Sequence, residues 1–148
     1  HHILEERSIY WIDDLPFVAT IIMGQIKAQE SLNPSLVFKD ESDKTFALKL
    51  FRNTINNNAK YEQIIVKFSN NWELERIAIM DQLFLKMAFS EILSMEDLPI
   101  KVSMNEYIEI SKYYGSAKSK LFVNGLLDNA VKTFSKEGKI KKVGRGLV

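Results

Sequence analysis

The sequence predicts an all-α protein, a bundle of five or six helices, on three observations. Glycine is scarce, six in 148 residues, and three of the six follow residue 137. Proline occurs only at positions 16, 34 and 99. Apolar residues recur at three- and four-residue steps over long stretches without breakers, while the alternation of a half-buried strand is hard to find.

The elements follow in order. Asp13-Asp14-Leu15-Pro16 reads as a helix start, acidic residues and then a proline suited to a first turn. Val18, Ile21, Ile22 and Ile26 continue it at helical spacing. Residues 30–43, with Asn33-Pro34, read as a loop. A second helix spans about 42–68 on the stripe Phe46, Leu50, Ile55, Ile64, Ile65 and Phe68. Asn56-Asn57-Asn58 should kink or break it, because asparagine amides compete for backbone hydrogen bonds. The third, about 73–95, is apolar on most sides, which marks the buried centre of a bundle. Pro99 closes the connection after it. Ser103-Met104-Asn105-Glu106 has the spacing of a capping box and predicts the next helix start; Gly115 predicts its end. A last helix runs from Ser116–Ser119 to Phe134. Gly125 inside it costs ~1 kcal/mol relative to alanine, so a second helix is expected close by, bonded to Asn124.

Composition narrows the chemistry. With 46% apolar and 26% charged residues the chain fits one globular domain rather than a disordered segment. No apolar run reaches the roughly 18 residues of a membrane span, and no secretory pattern opens the chain. Cysteine is absent and the only histidines are His1 and His2. Disulfides, thiolate nucleophiles, cysteine-ligated zinc and a Ser-His-Asp triad within the fold are therefore excluded, and a cytoplasmic location is expected. Gly144-Arg145-Gly146 lacks the spacing of a phosphate-binding loop. Of the carboxylate pairs, only Glu106 and Glu109 converge on a helix face, and Glu106 is claimed by the capping box. No catalytic residue, metal or cofactor is expected. Asp81, between Ile77, Phe84 and Leu85, is expected to lie at an interface or to pair with a base such as Lys86.

Charge is uneven. Residues 132–148 hold six basic residues and one acid, leaving 14 basic and 18 acidic residues upstream. A basic tail over 135–148, with Lys139, Lys141, Lys142 and Arg145, suits phosphate, as does a solvated tail that only keeps the protein soluble. Lys112, Tyr113, Lys118 and Lys120 interleave cations with an aromatic ring around Gly115, which is what single-stranded RNA requires: charge for the backbone and a ring for a base. Tyr114 shares a face with Ile110 and is expected in the core, leaving Tyr113 as the exposed ring.

Three segments carry a resemblance. They are Trp72-Glu73-Leu74-Glu75-Arg76-Ile77-Ala78 running on to Ala88-Phe89-Ser90-Glu91, Leu98-Pro99-Ile100-Lys101-Val102 with Asn105-Glu106 and Glu109-Ile110-Ser111-Lys112, and Phe122-Val123-Asn124-Gly125-Leu126-Leu127-Asp128. In order and spacing they resemble the C-terminal half of the NusB family of bacterial transcription antitermination factors, most specifically over residues 72–130. The resemblance implies a helical domain over 1–134, best matched over 72–134, which binds boxA-type RNA together with the ribosomal protein NusE in the transcription elongation complex, without catalysis and without a membrane. It implies further that Lys118 and Lys120 lie on the RNA side, that Asp81 lies near the NusE face, and that a homodimer is available. Family members normally open with an arginine-rich helix, whereas Arg7 is the only arginine in the first 51 residues. The chain is therefore expected to be the C-terminal portion of a longer relative. The alternatives are the NusB-like RNA-binding domain of a ribosomal RNA methyltransferase and a protein-interaction module without RNA binding.

Overall fold

A computed structural model describes residues 11–28, 38, 40–69 and 73–142, and those residues are helical with no strand among them. The chain divides into two compact units, residues 1–41 and 42–148. In the first, α1 spans Trp11–Ala28 and starts earlier than the acidic pair suggests, so Pro16 lies inside the helix. Its Val18, Ile22, Met23 and Ile26 are exposed.

The second unit holds the core. The expected break at the asparagines occurs: α2 spans Glu41–Asn56 and α3 spans Asn58–Phe68. Asn57 between them sends both its backbone N–H and its side-chain amide to the carbonyl of Asn53. That competition is the one foreseen for an asparagine run. The expected stripe on α2 is only partly buried. Leu50 is in the core, whereas Phe46 and Ile55 are exposed, together with Leu48 and Phe51.

A short 3-10 turn, Leu74–Arg76, leads into α4, Ile79–Ser94. Gln82 ties the two together, its amide donating to the carbonyls of Leu74 and Ile77, both at 2.9 Å. Trp72, expected to open this helix, lies outside the described residues. As its all-round apolar character predicts, α4 is central. It packs against α3, α5 (Ile100–Tyr114) and α6 (Ser119–Lys136). Phe84, Leu85, Ala88, Phe89 and Ile92 are buried on it. They meet Tyr61 and Ile65 of α3, Tyr107 of α5, and Val123, Leu127 and Phe134 of α6 in one cluster.

Two polar ties cross this core. Tyr107 donates its hydroxyl to the buried carboxylate of Glu91, joining α5 to α4. Burial, and then the bond to Glu91, push the phenol well above its usual range. The second tie holds α3 to α4. Glu62 accepts from Lys86 Nζ at 2.7 Å and from Asn58 Nδ2 at 2.9 Å, so Lys86 pairs with Glu62 and not with Asp81. Those bonds hold the Glu62 carboxyl below the usual carboxylate range. A folded pKa below the unfolded value, about 4.3 for glutamate, contributes stability that is complete above the unfolded pKa and lost as pH falls through the folded one. Urea midpoints measured from pH 6 down to pH 3 should therefore fall less in Glu62→Gln than in the parent.

Two sequence expectations fail in instructive ways. The capping box does not form: α5 begins at Ile100 behind Pro99, and Ser103 is fully buried one turn inside, its hydroxyl without a partner among the described residues. Proline needs no N–H at a helix start, so it takes the boundary, and the Ser-x-x-Glu spacing falls within the helix. Gly125 and Asn124 are exposed, and a Cβ built at Gly125 meets nothing within 4 Å. Among the described residues no helix closes on that glycine, and their packing does not account for it. Gly125→Ala is expected to raise stability by about 0.5–1 kcal/mol through helix propensity, seen as a higher urea midpoint.

Candidate nucleic-acid interface

The site begins with a glycine and two serines. α5 ends at Tyr114, and Gly115 keeps an ordinary extended backbone. Its lack of a side chain is nevertheless required, because a Cβ there would stand 2.6 Å from the carbonyl oxygen of Ser111 and 2.5 Å from Cβ of Ser119. The chain can then turn tightly. The fully buried Ser119 accepts the backbone N–H of Ser116 at 2.7 Å, and the two hydroxyls lie 3.0 Å apart. This knot sets Lys118 immediately before α6 and Lys120 in its first turn, both exposed. Cations there add to the positive end of an 18-residue helix, a favourable position for phosphate.

Tyr113 is 68% exposed, while Tyr114 packs against the core beside Ile110, as expected from their shared face. Lys112 pairs with Glu109 on the same helix, so its charge is partly compensated.

Asp81 sits in the first turn of α4 and is only 5% exposed, yet its Oδ1 has no hydrogen-bond partner among the described residues. It lines a pocket of about 340 Å³ with Arg76, Ile77, Ser116, Lys118 and Phe122. The structure thus brings together Asp81 and Lys118, two residues that sequence reasoning singled out separately. It adds Arg76, Ser116 and Phe122, which that reasoning did not select as site residues. Arg76 stays at the surface in an ion pair with Glu73 at 3.4 Å. Such a partnership between the start of α4 and a turn some forty residues later leaves no periodic trace in sequence.

The tail lysines go elsewhere. α6 runs on to Lys136 and ends at Gly138, whose φ of 64° is the left-handed conformation that favours glycine. Lys139 N–H then reaches the carbonyl of Phe134 and Gly138 N–H that of Ser135, which closes the helix and turns the chain back. Ile140 packs against the core. Lys142 Nζ donates to the carbonyls of Met95 at 2.6 Å and Glu91 at 3.3 Å, capping the end of α4. Desolvation lowers its pKa against the pull of Asp97, Glu91 and Glu96. Lys139 pairs with Glu137 at 2.6 Å and lies over the Phe134 ring. Residues 137–142 therefore form a strap on the body. Met95 and Asp81 are separated by about 20 Å at the ~1.5 Å rise of a helix, so Lys142 does not join the lysines of the α5–α6 turn. Lys141 is exposed, and Arg145 lies outside the described residues.

A family model described as the NusB family matches residues 16–132. The chain belongs to the NusB family. The match reaches well upstream of residue 72, where the sequence motifs alone are most specific. Curated relatives include the transcription antitermination protein NusB of Salinibacter ruber, 42% identical over 110 residues covering 74% of this chain and 69% of that protein. The protein of the same name from Chloroherpeton thalassium is 40% identical over 122 residues, covering 82% and 58%. Among solved structures, NusB of T. maritima is 28% identical and superposes with a TM-score of 0.63 over 82% of this chain and 89% of that one. The NusB-like helical bundle expected from the sequence is thus the fold of the chain, and no described helix is long and apolar enough to cross a membrane.

Proposed function

We propose that this NusB-family chain is a non-catalytic transcription antitermination factor of the cytoplasm, which pairs with the ribosomal protein NusE on boxA-type RNA within the elongation complex. The observation that carries the reading is the convergence at the α5–α6 turn. Exposed Lys118 and Lys120 supply charge to phosphates, exposed Tyr113 supplies a ring for a base, and Asp81 offers an acceptor oxygen beside them. Lys112 contributes less, being shared with Glu109. Lys141 and Arg145 add to the chain's basic charge, whereas Lys139 and Lys142 act first through their own contacts.

A buried carboxylate oxygen without a donor is costly until a partner supplies one. A cationic or N–H-bearing side chain of NusE entering this pocket would do so, which assigns Asp81 to the protein partner and the lysines to RNA. The test is fluorescence anisotropy with labelled boxA RNA, titrated with this chain alone and with NusE present. Affinity should be weak alone, rise with NusE, and fall linearly in log–log form with salt. Asp81→Asn should lower the gain from NusE while leaving RNA affinity in its absence unchanged. Absence of RNA binding at saturating NusE would overturn the reading.

A further inference from the structure

Away from the α5–α6 turn, α3, the end of α4, the end of α6 and the strap enclose a second groove that shares no lining residue with the Asp81 pocket. Its floor is Ile64, Leu93 and the edge of Phe134, and its rim is Lys60, Lys67 and Lys139, with no carboxylate in the lining. The rim is fixed by the fold. Lys60 and Lys67 are two helical turns apart on α3 and so project on the same side. Lys139 is held by the Gly138 turn behind it and by the Lys142 cap on α4 ahead of it. Glu137 forms an ion pair with Lys139 and attracts Lys67 from further off, Lys67 also lies over the Phe68 ring, and among the described residues neither Lys60 nor Lys67 makes a salt bridge.

We propose that this groove docks an acidic peptide segment of a protein partner, which sets its carboxylates against Lys60 and Lys67 and one or two large apolar side chains on the Ile64–Leu93–Phe134 floor. Charge complementarity selects the sign of the ligand. The floor selects its class: Phe134 is 3% exposed and offers no ring face for a base to stack on, and aliphatic side chains read no base edge. Gln63, also in the lining, can bond a peptide backbone. Residues 143–148 carry one arginine and no acid, so that segment is not complementary to the groove.

The probe is a fluorescein-labelled dodecapeptide of glutamates interrupted by two leucines and a phenylalanine, titrated onto the full chain by anisotropy. Controls are the same peptide with serine at the three apolar positions and a labelled uridine dodecamer. Lys60→Glu with Lys67→Glu changes only exposed side chains, and its thermal unfolding is recorded alongside. Peptide affinity should fall about tenfold or more in the variant, fall comparably for the serine peptide, and weaken with salt. Chemical-shift changes in labelled protein should centre on Ile64 and Leu93. Equal binding of the serine peptide would make the groove a generic polyanion surface and overturn the proposal. So would peptide affinity indifferent to the charge reversal, tighter uridine binding lost in the same variant, or no peptide binding at millimolar concentration.

Discussion

Lys118→Glu combined with Lys120→Glu should cost boxA-type RNA roughly thirtyfold or more in affinity at about 0.15 M salt. Each phosphate neutralised on a single strand releases about 0.7 counterion, worth roughly fourfold at that salt concentration. Two lost contacts multiply to roughly fifteenfold, about 1.6 kcal/mol, and reversing the sign adds repulsion to the loss. The slope of log affinity against log salt should shrink by about 1.4, since each lysine on a single-strand phosphate contributes about 0.7. Both side chains are exposed, so the melting curve should stay where it is. Tyr113→Ala is the companion measurement: loss of a stacked base would cost ~1–3 kcal/mol without altering the salt slope. Unchanged RNA affinity in the double variant would move recognition away from this turn altogether.

Phe134→Ala should be the most destabilising single change, about 3–5 kcal/mol. Its ring meets Phe68 of α3 edge-on at 5.5 Å between centroids and Phe89 of α4 at 6.2 Å, so one side chain on α6 serves two neighbouring helices. Truncation removes apolar contact from three helices at once and leaves a cavity they cannot all close. Against the 5–15 kcal/mol typical of a whole domain, a loss of that size is a large fraction of the total. Urea unfolding followed by circular dichroism reads it directly. A midpoint shift corresponding to under ~1 kcal/mol, the range of tolerated volume-conserving swaps, would mean that the cluster repacks around the gap.

The core was legible because a 3.6-residue period is a property of neighbouring residues. Phe84, Leu85, Ala88, Phe89 and Ile92 declare their burial through spacing alone, and all five are buried. Local chemistry was legible where one residue type dominates, as at Asn57 between α2 and α3 and at Gly115 after α5. It failed where two local signals compete. Pro99 and Ser103 both mark helix starts, and only the tertiary fit of α5 decides that Ser103 is an interior residue with a buried hydroxyl. It failed again at Phe46 and Gly125, where the sequence shows an apolar or small residue but not whether anything lies opposite. The candidate interface was half legible. Lys118, Lys120 and Tyr113 stand close in sequence, so their clustering needed no fold. Bringing Arg76 and Asp81 to Lys118 required α4 and α6 to pack, and placing Lys142 on α4 required the chain to reverse at Gly138.

That last contact has a consequence for the order in which the molecule is made. The carbonyls of Glu91 and Met95, at the end of the central helix, accept the backbone N–H of Met95 and Leu98 and gain a second donor from a side chain 51 and 47 positions later. On the ribosome, α4 emerges and can meet α3 while its own end is still open to water, and α5 and α6 follow before the closing lysine is synthesised. The innermost helix thus receives its last side-chain donor from beyond α6. A released chain cut short before Lys142 would keep the backbone bonds at the end of α4 but lose the lysine's donors there, and a protease should find the 95–99 connection easier to cut than in the full chain.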